Sequence, residues 1–402
     1  MKATISAPQG KTIIAAVLLA IGISGPASSA DMTGVTDNTI KIGLPGPFTG
    51  NASSYSKSQI GMHAYFNSVN DAGGINGRKL EIIEADDACS EAKGIVAIKN
   101  LIYEQKVFLI NGVSCSGVGI AIKPMVLEAK IPFVISQAVN QNITEPVTPY
   151  IFHGVPTSYD AGASIVDFLL SNPAVKKIAL VTHSNEWGQS YKNPELEYMK
   201  KKYNMTPVLD LAMERGSTDA TPQILRIKSS GADAVIVNLY EAEAAIFLRD
   251  AAKYGLKIPM IGGYATDLEN TLKRVASLEP VKNYFVLHMF SGSLDSPIMA
   301  KWGAMIKKYY PNEELTGFSF VGIGSAIATV EAIKRAGKDL TRERFIEEME
   351  KLRNFKTGIL AGDITFTPQD HQGAKTSAVA GFVDGKPTLF SSWGKRLIQL
   401  SN

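Results

Sequence analysis

The sequence predicts an α/β protein of two similar lobes, each a mostly parallel sheet flanked by helices. Three observations predict it. Short apolar runs of strand length alternate with helix-like segments, the pattern of parallel sheets covered by crossover helices. The alternation occurs twice, from residue 39 to about 136 and again from about 156 to 262. A third stretch returns after Val286, and no Pro-, Ser- or charge-rich linker separates the halves, so several strands are expected to cross between them.

The elements follow in order. Residues 1–30 stand apart: Lys2 and Lys11 precede the apolar run TIIAAVLLAIGI (Thr12–Ile23), Gly25 and Pro26 break it, and Ser28-Ser29-Ala30 ends it with small residues. That is the layout of a secretory signal peptide cut after Ala30, and the run is too short to span a bilayer. TIKIGL (Thr39–Leu44) reads as a strand, followed by a loop to about Tyr55 and a helix over Gln59–Ala72. KLEIIEAD (Lys79–Asp86) alternates as a strand and Ala92–Glu104 is helical. Phe108–Val113 and Pro132–Ser136 are strands separated by a helix over Gly119–Lys130. In the second series, IALVT (Ile178–Thr182) and AVIVN (Ala234–Asn238) are buried strands and Pro259–Gly262 opens another. Helices are expected over Pro194–Tyr203, Asp219–Ser230 and Glu241–Tyr254, and a buried one rich in small residues over Gly322–Ala336.

Composition excludes several functions. The formal charge of +3 owes two units to Lys2 and Lys11, which leaves the exported chain close to neutral, with no basic stripe for nucleic acid. Beyond residue 30 no apolar run reads as long enough to cross a membrane, and the five histidines show no HxH or HExxH spacing, so no metal or cofactor is signalled. The stretch NGVSCSGVGI (Asn111–Ile120) admits a nucleophile, half of a metal site, half of a disulfide or an anion cradle. Cys89 and Cys115 are the only cysteines, and export to an oxidising compartment makes a disulfide the simplest reading, worth about 3 kcal/mol. A thiol nucleophile is then not expected, and the chain reads as a binding protein rather than an enzyme.

Ligands of open α/β sheets sit beyond the carboxyl ends of the strands, and two facing lobes put the binding place in the cleft between them. The candidate ranges are 47–55, 114–117, 136–140, 184–188, 238–241 and 263–267.

KIGLPGPFTG, DAGGINGRKLEII, the cysteine pair, FVISQAVN and FTPQDHQGAKTSAVAGFVDGKP together resemble the periplasmic leucine/isoleucine/valine-type solute-binding proteins of ABC transporters, over essentially the whole exported chain. The resemblance implies a two-lobed periplasmic binding protein fold with three crossover strands, ligand in the cleft and closure by hinge motion. It implies an N-terminal lobe of residues 31–157 plus 288–364 and a C-terminal lobe of 158–287 plus 365–402. A monomer that delivers a small carboxylate to an inner-membrane ABC permease from the periplasm is expected. Carried over by position, Ser116 after Cys115 is expected to hold the carboxylate, with Ala138, Val139 and Asn140 supplying the next loop. Asn140 stands where relatives carry threonine or serine.

Tyr55, Trp187 and Tyr240 match aromatic wall positions, and His288 is a candidate contact for a ring substituent. Where amino-acid-binding members place a glutamate or aspartate for the ligand's ammonium, GGYATD puts Tyr264. Asp267 or Glu241 could substitute for it. Without a counter-charge the cleft favours a carboxylate lacking an ammonium: an aromatic acid of benzoate, phenylacetate or cinnamate type. The alternatives are a branched-chain amino acid, a short amide or urea, or a sensory ligand-binding module of the same fold.

Overall fold

The computed structural model describes residues 1–4, 32–290, 296–392 and 394–396; the apolar run of the expected signal peptide and its cut after Ala30 lie outside them. The first sheet is wholly parallel. It contains β1 (Thr39–Gly46), β2 (Lys79–Asp86), β3 (Leu109–Gly112), β4 (Phe133–Ile135) and β5 (Ile151–His153) in the order β2-β1-β3-β4-β5. Its crossovers carry α1 (Lys57–Asp71), α2 (Glu91–Lys99), which continues as a π turn over Asn100–Glu104, and α3 (Ser116–Glu128). Ile40, Ile42 and Leu44 of β1 are all buried, as a parallel sheet covered on both faces requires.

A helix α4 (Ser158–Leu170) leads into the second sheet, and its start is fixed by a capping box between Thr157 and Asp160. There β6 (Ile178–His183), α5 (Glu186–Tyr203), β7 (Leu209–Met213), α6 (Thr221–Ser230), β8 (Ala234–Asn238), α7 (Glu241–Lys253), β9 (Met260–Gly262), α8 (Leu268–Val275) and β10 (Tyr284–His288) follow in turn. The chain then returns to the first sheet as α9 (Pro297–Tyr309), α10 (Gly317–Ala336) and α11 (Arg342–Met349), of which α9 and α10 pack on α1. It closes the second sheet with β11 (Ala378–Val383), β12 (Lys386–Ser392) and β13 (Lys395–Arg396), in the order β13-β12-β11-β10-β9-β8-β6-β7. The last three strands join antiparallel, and the rest of that sheet is parallel.

The predicted fold class is the observed one: two mostly parallel sheets flanked by helices. The crossings lie close together. His153 donates its N–H to the His371 carbonyl (2.9 Å) and receives that of Gly373 (2.8 Å), and Gln372 bridges in parallel to His153. The first and third crossings therefore run side by side at the edge of the first sheet.

Three helices begin three or more residues before the range the sequence marks. Helix α3 begins at Ser116 rather than Gly119, directly on the cysteine. Helix α5 begins at Glu186 and carries Pro194 inside it, whereas the sequence marks only the part over Pro194–Tyr203. Helix α10 begins at Gly317 rather than Gly322, so it is long and apolar enough to cross a membrane, yet 83% of that window is buried. Its glycine spacing explains the burial. A Cβ on Gly322 would lie 2.1 Å from the Ser58 carbonyl oxygen, and one on Gly61 of α1 would lie 2.0 Å from that of Ser319. The two helices touch backbone to backbone, which only glycine permits.

On the inner face of α5, Glu195 is fully buried and accepts one hydrogen bond from Asn238 Nδ2 (2.8 Å), while its Oε1 has no partner among the described groups. Burial pushes its carboxyl up to about 8, from an ordinary 4.5. The folded chain thus holds a proton that the unfolded chain releases. The associated stability is fully present below pH 4.5 and is lost as pH rises to about 8. Glu195→Gln should raise the thermal midpoint at pH 8 and leave it unchanged near pH 4.5. An equal midpoint change at both pH values contradicts the assignment.

Candidate ligand site

The loops after β3, β4, β6, β8 and β9 converge between the two sheets. After β3 the chain turns sharply: Gly112 packs so closely on β1 that a Cβ would lie 2.5 Å from the Pro45 carbonyl oxygen, and Val113 takes φ +67°. That turn delivers Cys115 to the N-cap of α3, where it is bonded to Cys89 across 26 residues with Cα atoms 5.5 Å apart. Both cysteines are consumed, so Cys115 offers no thiol.

Ser116 is the first residue of α3 and is 1% exposed. Its Oγ accepts the N–H groups of Val139 (3.3 Å) and Asn140 (3.2 Å) and so ties α3 to the loop after β4. It does not cap its own helix. Ser114, two residues earlier, donates to the Tyr55 carbonyl (3.3 Å), and the Gln59 amide bridges it to Ser136.

The rings form a connected wall. Trp187 stacks on Tyr240 (centroids 4.5 Å, 26°), Tyr240 lies 6.1 Å from Tyr55, and Tyr55 meets Phe318 edge-on at 5.2 Å. Tyr191, one turn beyond Trp187 on α5, packs on it at 5.0 Å and receives the Tyr264 N–H at 3.1 Å. Tyr55 also donates its hydroxyl to the Ala265 carbonyl (3.1 Å), a bond from the first lobe to the second. The Tyr264 hydroxyl bonds to Ser377, and Asn185 Nδ2 donates to that of Tyr240 (3.1 Å).

Seven of the expected residues line one cavity of about 20 Å³: Tyr55, Cys115, Ser116, Val139, Trp187, Tyr240 and Tyr264. Ala138 and Asn140 do not line it. Ala138 is buried in the first lobe's core. The Asn140 side chain faces away: its Oδ1 caps the short 3₁₀ turn over Gln141–Ile143 and its Nδ2 donates to Glu186. His288 lines a neighbouring cavity with Asp267, its ring centroid 3.6 Å from that of Phe290.

Neither substitute for the ammonium partner lines the first cavity. Asp267 caps α8 by accepting the Asn270 N–H (3.0 Å), and its other oxygen accepts the Gly317 N–H (3.0 Å) at the start of α10. Burial raises its carboxyl above the ordinary range. The Glu241 side chain is 2% exposed and turned toward Arg274 Nε (3.4 Å); burial first, then Asp267, pushes its carboxyl up to about 7.

Phe318, Tyr191 and Ser377 lie outside the ranges the sequence marks, and Gln137 falls within 136–140 without being singled out. The signals were the strand-end position of Gln137 after β4 and the four-residue spacing of Tyr191 from Trp187 on one helix face. Among the described residues no group of three or more His, Cys, Asp or Glu side chains could hold a metal ion.

The two lobes and their cleft define a protein that captures a small molecule between parallel sheets. The model of the family described as periplasmic binding protein matches residues 39–386, and the chain belongs to that family. An amino acid binding protein of Pseudomonas aeruginosa is 27% identical over 218 residues, 54% of this chain and 58% of the relative, so the alignment spans little more than half of that protein. A Leu/Ile/Val-binding protein homolog of Brucella abortus is 25% identical over 340 residues, 81% of this chain and 82% of the relative. Among solved structures, the branched-chain amino acid binding protein LivJ of Streptococcus pneumoniae with isoleucine superposes with a TM-score of 0.76 at 22% identity, covering 87% of this chain and 98% of its own. A solute binding protein of R. palustris in complex with benzoate also reaches 0.76, at 18% identity, covering 90% of this chain and 98% of its own.

Proposed function

We propose that this chain is the periplasmic solute receptor of an ABC importer and that it takes a small carboxylate with an aromatic body, of benzoate, phenylacetate or cinnamate type. One observation carries the reading: the cavity holding Ser116 is lined by Tyr55, Trp187, Tyr240 and Tyr264 and by no acidic side chain among the described residues. The ligand carboxylate meets the Ser116 hydroxyl at the start of α3, where a helix N-terminus favours an anion. Rings offer its body offset or edge-on contact. An ammonium would be buried there without a counter-charge, at a cost of several kcal/mol.

The cavity has room for about one water, so the ligand enters as the lobes part at the neighbouring crossings, and they return only as far as its body allows. The Tyr55–Ala265 and Asn140–Glu186 bonds, one from each side of the cleft, would then latch the closed form. The partner is an inner-membrane permease, and the receptor acts as a monomer. A branched-chain amino acid is the second reading, favoured by the names of the relatives above.

3-Phenylpropanoate and L-phenylalanine differ only by the ammonium group and separate the two readings. The acid should bind more tightly, and tighter binding of phenylalanine removes the proposal.

A further inference from the structure

A second cavity of the same volume, about 20 Å³, adjoins the first; its wall includes Gln137, Tyr264, Asp267, His288, Phe290 and Phe318. Gln137 and Tyr264 line both, so the two are successive chambers of one cleft. Of these two, Ser116 lines only the first and Asp267 only the second.

Gln137 stands at the junction, 6% exposed, and its Oε1 is buried with no hydrogen-bond partner among the described groups. An unpaired buried acceptor is costly, and native chains leave few of them. A ligand that brings a donor to this point recovers that cost, whereas one without a donor does not. Asp267 is not equivalent: its two oxygens already accept the N–H groups of Asn270 and Gly317 and hold the starts of two helices. The rest of the wall mixes Thr266 and His288 with Val286, Leu287, Met289 and Phe290, and so suits a ring that carries a polar substituent.

We infer that the ligand spans both chambers, with its carboxylate at Ser116 and a hydroxyl on the far side of its ring donating to Gln137 Oε1. The inference rests on the proposed function and names a narrower class within it, the hydroxylated aromatic acids. Gln137 is then the residue that distinguishes a hydroxylated ring from a plain one.

The test is calorimetric titration of the intact chain with 3-phenylpropanoate, 3-(4-hydroxyphenyl)propanoate and the 4-methoxy ether of the latter. The hydroxylated acid should bind about fivefold tighter than the plain one, the effect of one net neutral hydrogen bond. The ether, an acceptor without a donor, should show no such gain. In Gln137→Met, similar in length and with no polar atom to leave unpaired, the ratio should fall to about one. Gln137→Leu provides a second variant should the first unfold. A ratio near one in the unaltered chain, a gain with the ether, or a hydroxyl preference retained in both variants overturns the inference and leaves the carboxylate reading standing. Binding of leucine with neither acid bound overturns both.

Discussion

Replacing Ser116 by alanine weakens binding of a carboxylate ligand by more than tenfold. The reason lies in how the hydroxyl is used. Ser116 Oγ accepts from Val139 N and Asn140 N, and a serine oxygen has two acceptor sites and one donor. Its remaining capacity is the O–H, which requires an acceptor, and a carboxylate is a strong one. A hydrogen bond to a charged group is worth about 1.5–3 kcal/mol, and about 1.4 kcal/mol is a factor of ten. The substitution also leaves two buried N–H groups without their acceptor, which loosens the loop after β4. Titration of 3-phenylpropanamide separates the two effects. A neutral amide should lose less affinity than the acid, and equal loss assigns the effect to the loop alone. Unchanged affinity for the acid removes Ser116 from the site.

Removing the disulfide lowers the stability of the chain by about 3 kcal/mol. The Cys89–Cys115 bond closes a loop of 26 residues, and cross-linking a loop of that length restricts the unfolded chain by this amount. It also has a local effect, because Cys115 is the N-cap of α3 and Cys89 precedes α2. The double replacement Cys89→Ala, Cys115→Ala should shift the urea midpoint down by that free energy and weaken ligand binding as the start of α3 relaxes. Stability unchanged within error would show that the surrounding packing, not the bond, holds this turn.

Much of the fold was legible because burial in a parallel sheet leaves a mark on single segments. KLEIIEAD and AVIVN coincide with β2 and β8 residue for residue. What failed depended on tertiary support. Pro194–Tyr203 is legible as part of a helix, but the first two turns of α5 are not, because they are held by the Asn185 cap and by Trp187 and Tyr191 packing inward. Strand β7 (LDLAM) sits at the sheet edge with two of its residues exposed, so it lacks a continuous apolar run. Strand β5 has only three residues, near the lower limit at which any pattern is visible.

The candidate site divides in the same way. Strand-end geometry and the family resemblance together placed Ser116, Tyr55, Trp187, Tyr240 and Tyr264 around one cavity. They could not foresee that Asn140 turns its amide to Glu186, a partner 46 residues along the chain. Nor could they foresee that Asp267 is held by the start of α10, 50 residues on. Side-chain direction in these loops is chosen by contacts between lobes, and no local spacing encodes it.

The central claim is that the Ser116 chamber of this cleft receives a carboxylate and has no place for an ammonium. Calorimetry with 3-phenylpropanoate, L-phenylalanine and L-leucine, run in parallel on the chain, tests it most directly. The account predicts that 3-phenylpropanoate binds at least about a hundredfold more tightly than L-phenylalanine, the smallest effect of burying an unpaired ammonium, and more tightly than L-leucine. Equal or tighter binding of either amino acid would contradict it.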